Sequence, residues 1–318
     1  MGDQRSIQDT NGEAQTYHVP VLLNEVLEGL EIKPDGTYVD CTFGGGGHSK
    51  AILARLGGAG RLFVFDQDED ARRNLPDDKR VVFVPHNFRH LQRFLRLHDV
   101  EGVDGILADL GVSSHQFDEA SRGFSIRFDA PLDMRMDARQ SLKAADIIRT
   151  YSEAELHKLF ERYGEVTNAK TLARSIVTQR NVRQIDTISQ FREAVKNEVK
   201  GNPNKYFAQV FQALRMEVND ETGALADMLQ QSVQVLKPGG RIAVITFHSI
   251  EDRLVKNFFR YGSSEEPAEG DMYGNRPQSQ LQVITKKPVI PLESELRSNP
   301  RSRSAKLRIA QKKQPQST

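Results

Sequence analysis

The apolar positions of this chain change their period several times, and the changes divide it. Over residues 18–30, Leu23, Val26, Leu27 and Leu30 recur three and four apart, which predicts an amphipathic helix closed by Pro34-Asp35-Gly36. Tyr38-Val39-Asp40 is a short strand that passes through Cys41-Thr42-Phe43 into four glycines, Gly44-Gly45-Gly46-Gly47, and then a helical pattern over residues 49–56. Gly57-Gly58 end that helix. Arg61-Leu62-Phe63-Val64-Phe65-Asp66, Val81-Val82-Phe83-Val84 and Gly105-Ile106-Leu107-Ala108-Asp109 are three more buried strands, with a helix bearing Leu91, Phe94 and Leu95 before the last. Strands alternating with helices predict a parallel sheet with right-handed crossovers.

After Asp109 the alternation stops. Strand signals are absent from Asp118 to about Pro203, and the helices there are legible. Ser152-x-x-Glu155 is a capping box, followed by Leu156, Leu159, Phe160 and Tyr163, with Gly164 as the stop. Two further stripes carry Leu172, Ala173, Ile176 and Val177, then Phe191, Val195 and Val199. Helices with Phe207, Val210, Phe211 and Leu214, and with Leu225, Met228, Leu229 and Leu236, resume the first rhythm. Lys237-Pro238-Gly239-Gly240 then turns the chain into a fifth strand over residues 241–247. Residues 263–279 predict a surface loop, and 281–285 and 306–310 two final strands. The expected organisation is a tail (1–16), an α/β domain in two pieces (17–116 and 204–311), an all-α insertion (117–203) and a basic tail (312–318).

With 318 residues, 38% apolar and 27% charged, the chain is long enough for a real core, and no apolar run approaches the roughly 18 residues of a membrane span. The first 16 residues read as disordered rather than as a signal peptide, and the cytoplasm is the default location. The lone Cys41 excludes an intramolecular disulfide and a cysteine-based zinc cluster; no metal site is expected. Net charge is only +1, but basic residues gather at Lys170, Arg174, Arg180 and Arg183 and again from Arg297 to Lys313.

A strand, a glycine turn and a helix form the nucleotide-binding entry of an open α/β sheet. Asp66 closes the second strand about 20 residues on, where such folds place an acid on ribose hydroxyls. The dinucleotide pattern is incomplete, since Ser49 stands where its third glycine would. A carboxylate beside the turn, Asp40, would repel a pyrophosphate and favour a sulfonium and an amino group. S-adenosylmethionine therefore fits better than a nicotinamide dinucleotide, its carboxylate facing the helix start at His48-Ser49.

Five stretches together are far more specific than the turn. They are Gly44-Gly45-Gly46-Gly47-His48; Asp109-Leu110-Gly111-Val112-Ser113-Ser114; Arg122-Gly123-Phe124-Ser125 with Pro131-Leu132-Asp133-Met134-Arg135-Met136-Asp137; Phe247-His248-Ser249-Ile250-Glu251-Asp252-Arg253; and Asn299-Pro300-Arg301-Ser302-Arg303-Ser304. On these the chain, from Tyr17 onward, resembles the bacterial ribosomal RNA small subunit methyltransferase H family, which methylates N4 of a cytosine in 16S ribosomal RNA. Two local differences are the uninterrupted glycines, where that family often has a charged residue, and the added N-terminal tail. The resemblance implies a Rossmann-like S-adenosylmethionine-dependent methyltransferase sheet with an inserted all-α substrate domain after strand four. It places cofactor contacts on Gly44, Gly46, Gly47, His48, Asp66, Phe88, Asp109 and Gln116. The partner it implies is 16S ribosomal RNA within the small ribosomal subunit, with no membrane; a homodimer is left open.

Methylating C5 of a pyrimidine needs covalent attack by an enzyme nucleophile, normally a thiolate. Cys41, on strand one, is poorly placed for that. An exocyclic amine needs no nucleophile, only alignment and an acceptor for its proton. Asp109 is the expected catalytic acceptor, although amino-methyltransferases often place Asp/Asn-Pro-Pro-aromatic where this chain has Asp109-Leu110-Gly111-Val112; the backbone carbonyls of Leu110 and Gly111 are equal candidates. Arg122, Arg127, Arg135, Arg139, His248, Arg301 and Arg303 are candidate RNA contacts, with pairing of the arginines to Asp129, Asp133 and Asp137 as the plainer alternative. For His248, a capping box in Ser249-x-x-Asp252 is the plainer reading. Methylation of another base or of a protein nitrogen, a non-catalytic RNA-binding factor and a nicotinamide oxidoreductase are the other readings weighed.

Overall fold

The computed structural model of the chain describes residues 20–265 and 279–315; the expected N-terminal tail and most of the polar loop at 263–279 lie outside them. Helix α1 (Leu23–Leu30) leads into β1 (Thr37–Asp40), α2 (Gly47–Leu53), β2 (Arg61–Phe65), β3 (Val81–Val84), α3 (Leu91–Leu97) and β4 (Val103–Asp109). Next come α4 (Ser114–Asp118), α5 (Ala144–Thr150), α6 (Glu153–Gly164), α7 (Ala169–Arg180), α8 (Ile188–Ala194) and α9 (Pro203–Val218). The chain ends in α10 (Glu221–Val235), β5 (Leu236–Thr246), α11 (Ser249–Tyr261), β6 (Leu281–Val283), α12 (Glu293–Ser298) and β7 (Lys306–Lys312).

The strands form one sheet in the order β3-β2-β1-β4-β5-β7-β6. The first five are parallel, and β7 runs antiparallel to both β5 and β6. Because side chains alternate along a strand, Val39, Phe63, Ile106 and Ile242 meet α3, α10 and α11, while Tyr38, Leu62, Leu107 and Ala243 meet α1 and α2. Burying each such Val, Ile, Leu or Phe contributes about 1.5–3 kcal/mol. The strand order reverses between β1 and β4, so a crevice opens beyond their carboxyl ends, where Asp40 and Asp109 sit.

The structure departs from the expected boundaries in three places. Lys237-Pro238-Gly239-Gly240 is a bulge within β5 rather than a turn before it: Val103 pairs with Leu236, and Gly105 already with Arg241. Lys312 belongs to β7 rather than to a tail, its Nζ donating to the Leu236 carbonyl at 2.8 Å. Helix α9 packs against α5 and α6, and its Phe207, Val210, Phe211 and Leu214 fill the same core as Leu156, Phe160, Leu172 and Phe191. The helical body therefore runs past residue 203. The capping box at Ser152 forms as expected, Ser152 N–H donating to Glu155 Oε2 at 2.7 Å and Glu155 N–H to Ser152 Oγ at 3.3 Å. No helix among the described residues is long and apolar enough to cross a membrane.

Candidate active site

The glycine turn is held from behind. Asp40 is buried and does not face the crevice; its carboxylate accepts the Thr42 N–H at 3.0 Å and the Ser49 hydroxyl at 2.6 Å, tying β1 to the first turn of α2. The expectation that Asp40 stands beside the ligand is thus corrected: its short side chain reaches the turn's own donors first. Gly44 and Gly46 have φ of +49° and +75°, which favour glycine. A Cβ on Gly46 would lie 2.9 Å from the Phe43 ring, whereas one on Gly45 would meet no atom within 4 Å. Gly44, Gly45 and Gly47 line a cavity of about 780 Å³, and Gly46 turns away from it.

Asp66, Phe88, Asp109 and Gln116 line the same cavity. Asp66 accepts the N–H groups of Gly44 and Asp68, each at 2.8 Å. Burial nonetheless outweighs those bonds and pushes its carboxyl up to about 6. Gln116 closes a capping box with Ser113 at the start of α4, and its Nε2 donates to Asp68 Oδ2 at 2.9 Å. Asp68 also receives Arg122, at 2.9 Å. Phe88 follows Asn87, whose side chain accepts the Arg89 N–H and donates to Gln67 Oε1, so the ring is set by a tight turn at the end of β3.

Across the turn, the Asp109 N–H donates to Thr42 Oγ1 at 2.7 Å, joining the ends of β4 and β1. Asp109 Oδ2 lies 3.7 Å from His48 Nδ1, and Oδ1 is buried with no hydrogen-bond partner among the described residues. Burial raises this carboxyl to about 6, with His48 opposing the rise and Asp40 and Glu251 adding to it. The other ring nitrogen of His48, Nε2, is 2.9 Å from the Val21 carbonyl. A carbonyl only accepts, so Nε2 carries a proton and Nδ1 is the nitrogen turned toward Asp109. Cys41 borders the cavity but is buried, which pushes its thiol well up and disfavours the thiolate.

The far wall comes from Gln212 and Arg215 of α9 and from Phe247 and His248 after β5. Here the expected capping box is replaced. His248 itself caps α11, its Nδ1 accepting the Glu251 N–H at 3.4 Å, while Glu251 Oε2 accepts the Phe247 N–H at 2.9 Å. Ser249 instead reaches Glu165, and Asp252 pairs with Arg308 on β7 at 2.6 Å. Burial raises the Glu251 carboxyl, but His248, the Phe247 N–H and Arg215 together hold it below its ordinary value. Glu221, His248 and Glu251 bring possible metal ligands within 4.8 Å of one another. Arg215 already meets Glu221 at 2.7 Å and supplies the positive charge.

The candidate RNA residues divide. Arg127, His248 and Arg301 line the cavity, and Phe117 lies under both guanidiniums, 5.4 Å from Arg127 and 5.3 Å from Arg301. Arg301 also pairs with Asp118. Arg122 holds Asp68 and the carbonyls of Arg135 and Met136; Arg135 and Arg139 pair with Asp133 at 2.7 Å and Asp137 at 2.8 Å, each two residues back. These three serve the loop's own geometry, and neither they nor the exposed Arg303 line the cavity. Sequence reasoning missed Gln212 and Arg215; the available signal was their place on α9 beside, rather than within, its apolar stripe. It also missed Pro20 and Val21, which no local pattern marks, and gave no role to Asn299, although that residue opens one of the five stretches.

Residues 15–313 match the MraW methylase family. A protein of Bacteroides thetaiotaomicron called ribosomal RNA small subunit methyltransferase H is 56% identical over 299 residues, covering 94% of this chain and 98% of that protein. One of the same description from Flavobacterium johnsoniae is 52% identical, covering 93% and 98%. Among solved structures, an rRNA methylase from Streptococcus thermophilus superposes with a TM-score of 0.39 at 12% identity, over 92% of this chain and 94% of that one; the assignment rests on the sequence relatives alone. With a family match over nearly its whole length and relatives above half identity, the chain belongs to the MraW methylase family.

Proposed function

We propose that the chain transfers the methyl group of S-adenosylmethionine to the exocyclic N4 of a cytidine in 16S ribosomal RNA. The names of the relatives support the substrate. The observation that carries the chemistry is Asp109 at the wall of the cavity that the glycine turn also lines, a partly exposed carboxylate whose Oδ1 has no hydrogen-bond partner among the described residues.

The residues present fit this cofactor. Gly45 leaves open space where a side chain would stand, and about 780 Å³ lies within the 300–1,000 Å³ typical of cofactor sites. Asp66 keeps lone pairs for ribose hydroxyls, and Phe88 offers a flat face to adenine. The bound cofactor supplies a methyl group on an electron-poor sulfonium. A cytosine amine that takes up a methyl group must lose a proton, and the Asp109 carboxylate is the group that accepts it, with no covalent attachment to the enzyme. His48 Nδ1 lies 3.7 Å from the Oδ2 side of that carboxylate. Phe247, Leu110 and Gly111 border the same cavity.

A base in structured RNA reaches such a site only by leaving its stack, at a cost of about a few kcal/mol. The net charge of +1 is small for a protein that must hold RNA by charge alone, which supports the small ribosomal subunit, rather than bare RNA, as the substrate. Incubating the protein with methyl-deuterated S-adenosylmethionine and unmethylated small subunits, then analysing nucleosides by mass spectrometry, tests the reading. Label in N4-methylcytidine supports it; label in 5-methylcytidine, in another base or in protein contradicts it.

A further inference from the structure

A second cavity of about 460 Å³ lies between α9 and the segment 112–134. It continues the first: Val112, Phe117, Arg127, Gln212 and Arg215 line both. Helix α9 presents Asn204, Ala208, Gln212 and Arg215 to it, spaced four, four and three apart along one helical face. The adjacent face of α9 is the buried stripe of the helical core, so the groove wall is rigidly held. The opposite wall is apolar, from Phe124, Ile126 and Met134.

The charged groups lining this groove are Arg127, Arg192 and Arg215, and no carboxylate lines it among the described residues. Glu221 answers the charge of Arg215. Arg127 lies over the Phe117 ring at 5.4 Å and Arg192 over the Phe207 ring at 5.3 Å, contacts that orient a guanidinium without cancelling its charge. Gln212 Nε2 donates to the Tyr163 carbonyl at 2.9 Å, which fixes the amide and leaves Oε1 as an acceptor. An apolar wall, oriented guanidiniums and the fixed Gln212 amide, running into the cavity that holds Asp109, match a single-stranded nucleic acid with its bases exposed.

We infer that the groove binds the nucleotide adjacent to the methylated cytidine. Its base lies against Phe124 and Ile126, its edge is read by Asn204 and Gln212, and its phosphate meets Arg127 and Arg192. Turning one base out of a stack also strips its neighbour of a stacking partner, and this wall replaces that partner. The inference rests on the RNA methylation proposed above.

Arg192→Ala and Ala208→Trp test it, since both positions are exposed on their helices and lie away from the reacting groups. The probe is a pentaribonucleotide with a central cytidine, bound to the full chain saturated with S-adenosylhomocysteine and followed by anisotropy across a salt series. Either substitution raises Kd about tenfold, and Arg192→Ala lowers the salt slope by about 0.7, one single-strand phosphate contact. Cofactor affinity, read by calorimetry, stays at the wild-type value. Abasic residues on both sides of the cytidine cost the wild-type protein a similar factor and leave Ala208→Trp little further to lose. Wild-type binding by both variants, or equal affinity for intact and abasic probes, overturns the inference. So does an effect seen with ribosomal subunits but not with the pentamer, which would assign the groove to a ribosomal protein. If the pentamer behaves as expected while the wild-type protein labels no cytidine N4, the groove stands and the methylation reading falls.

Discussion

Replacing Asp109 by Asn removes one charge while nearly preserving shape. Burial raises the Asp109 carboxyl from an ordinary 3.8 to about 6, so its ionised form costs the folded protein up to about 3 kcal/mol. The folded state keeps this proton to a higher pH than the unfolded chain does. The cost is therefore absent below about pH 4, grows between about 4 and 6, and is constant above. The neutral amide of the Asp109→Asn variant carries none of it. Urea unfolding without cofactor should show the variant more stable by about 1–3 kcal/mol at pH 7.5 and by no more than about 0.5 kcal/mol at pH 4. The same change removes the proposed proton acceptor. Turnover should fall by about 100-fold or more, and the acid limb near pH 6 in the wild-type kcat/KM profile should vanish. An Asp109→Asn protein no more stable at pH 7.5 than wild type would refute the destabilising charge at Asp109. One with full turnover would refute its role in catalysis.

Phe88→Leu should raise the cofactor Kd about three- to tenfold in calorimetry, with turnover at saturating cofactor little changed; an unaltered Kd would remove adenine stacking. Gly45→Ala, whose Cβ meets no protein atom, should leave Tm unchanged and weaken cofactor binding, whereas Gly46→Ala should lower Tm through its φ of +75° and its contact with Phe43. If the two behave alike, the turn does not present Gly45 to the ligand. Arg215→Met strands a largely buried Glu221 and should cost about 3–5 kcal/mol in denaturant unfolding, most of it recovered by adding Glu221→Gln. Additive losses in that pair would show that the two charges do not answer each other.

The strand ends were legible because a buried parallel strand writes itself as a short apolar run, and its last residue then marks the mouth of the crevice. Asp66, Phe88 and Asp109 were reached in that way or through the family motif, and all three line one cavity. Side-chain partners across the fold were not legible. Nothing local says that Asp40 will turn back to Ser49, or that His248 rather than Ser249 will cap α11. The stripe on α9 shows that one face is buried but not against what, and it belongs to the helical core rather than to the sheet. Arg135 and Arg139 each have an aspartate two residues back, a spacing visible in the sequence whose preference over RNA only the folded loop decides. The proton on His48 Nε2 depends on a carbonyl 27 residues away that only the folded chain brings near.

The central claim is methyl transfer to one cytosine amine of the small-subunit RNA. Its most direct test compares 16S RNA from cells with and without this protein, digested and mapped by mass spectrometry. The expected result is the loss of a methyl group from N4 of a single cytidine, restored by the wild-type protein and not by Asp109→Asn. An unchanged set of methylated nucleotides, or a loss from a ring carbon or another base, would contradict it.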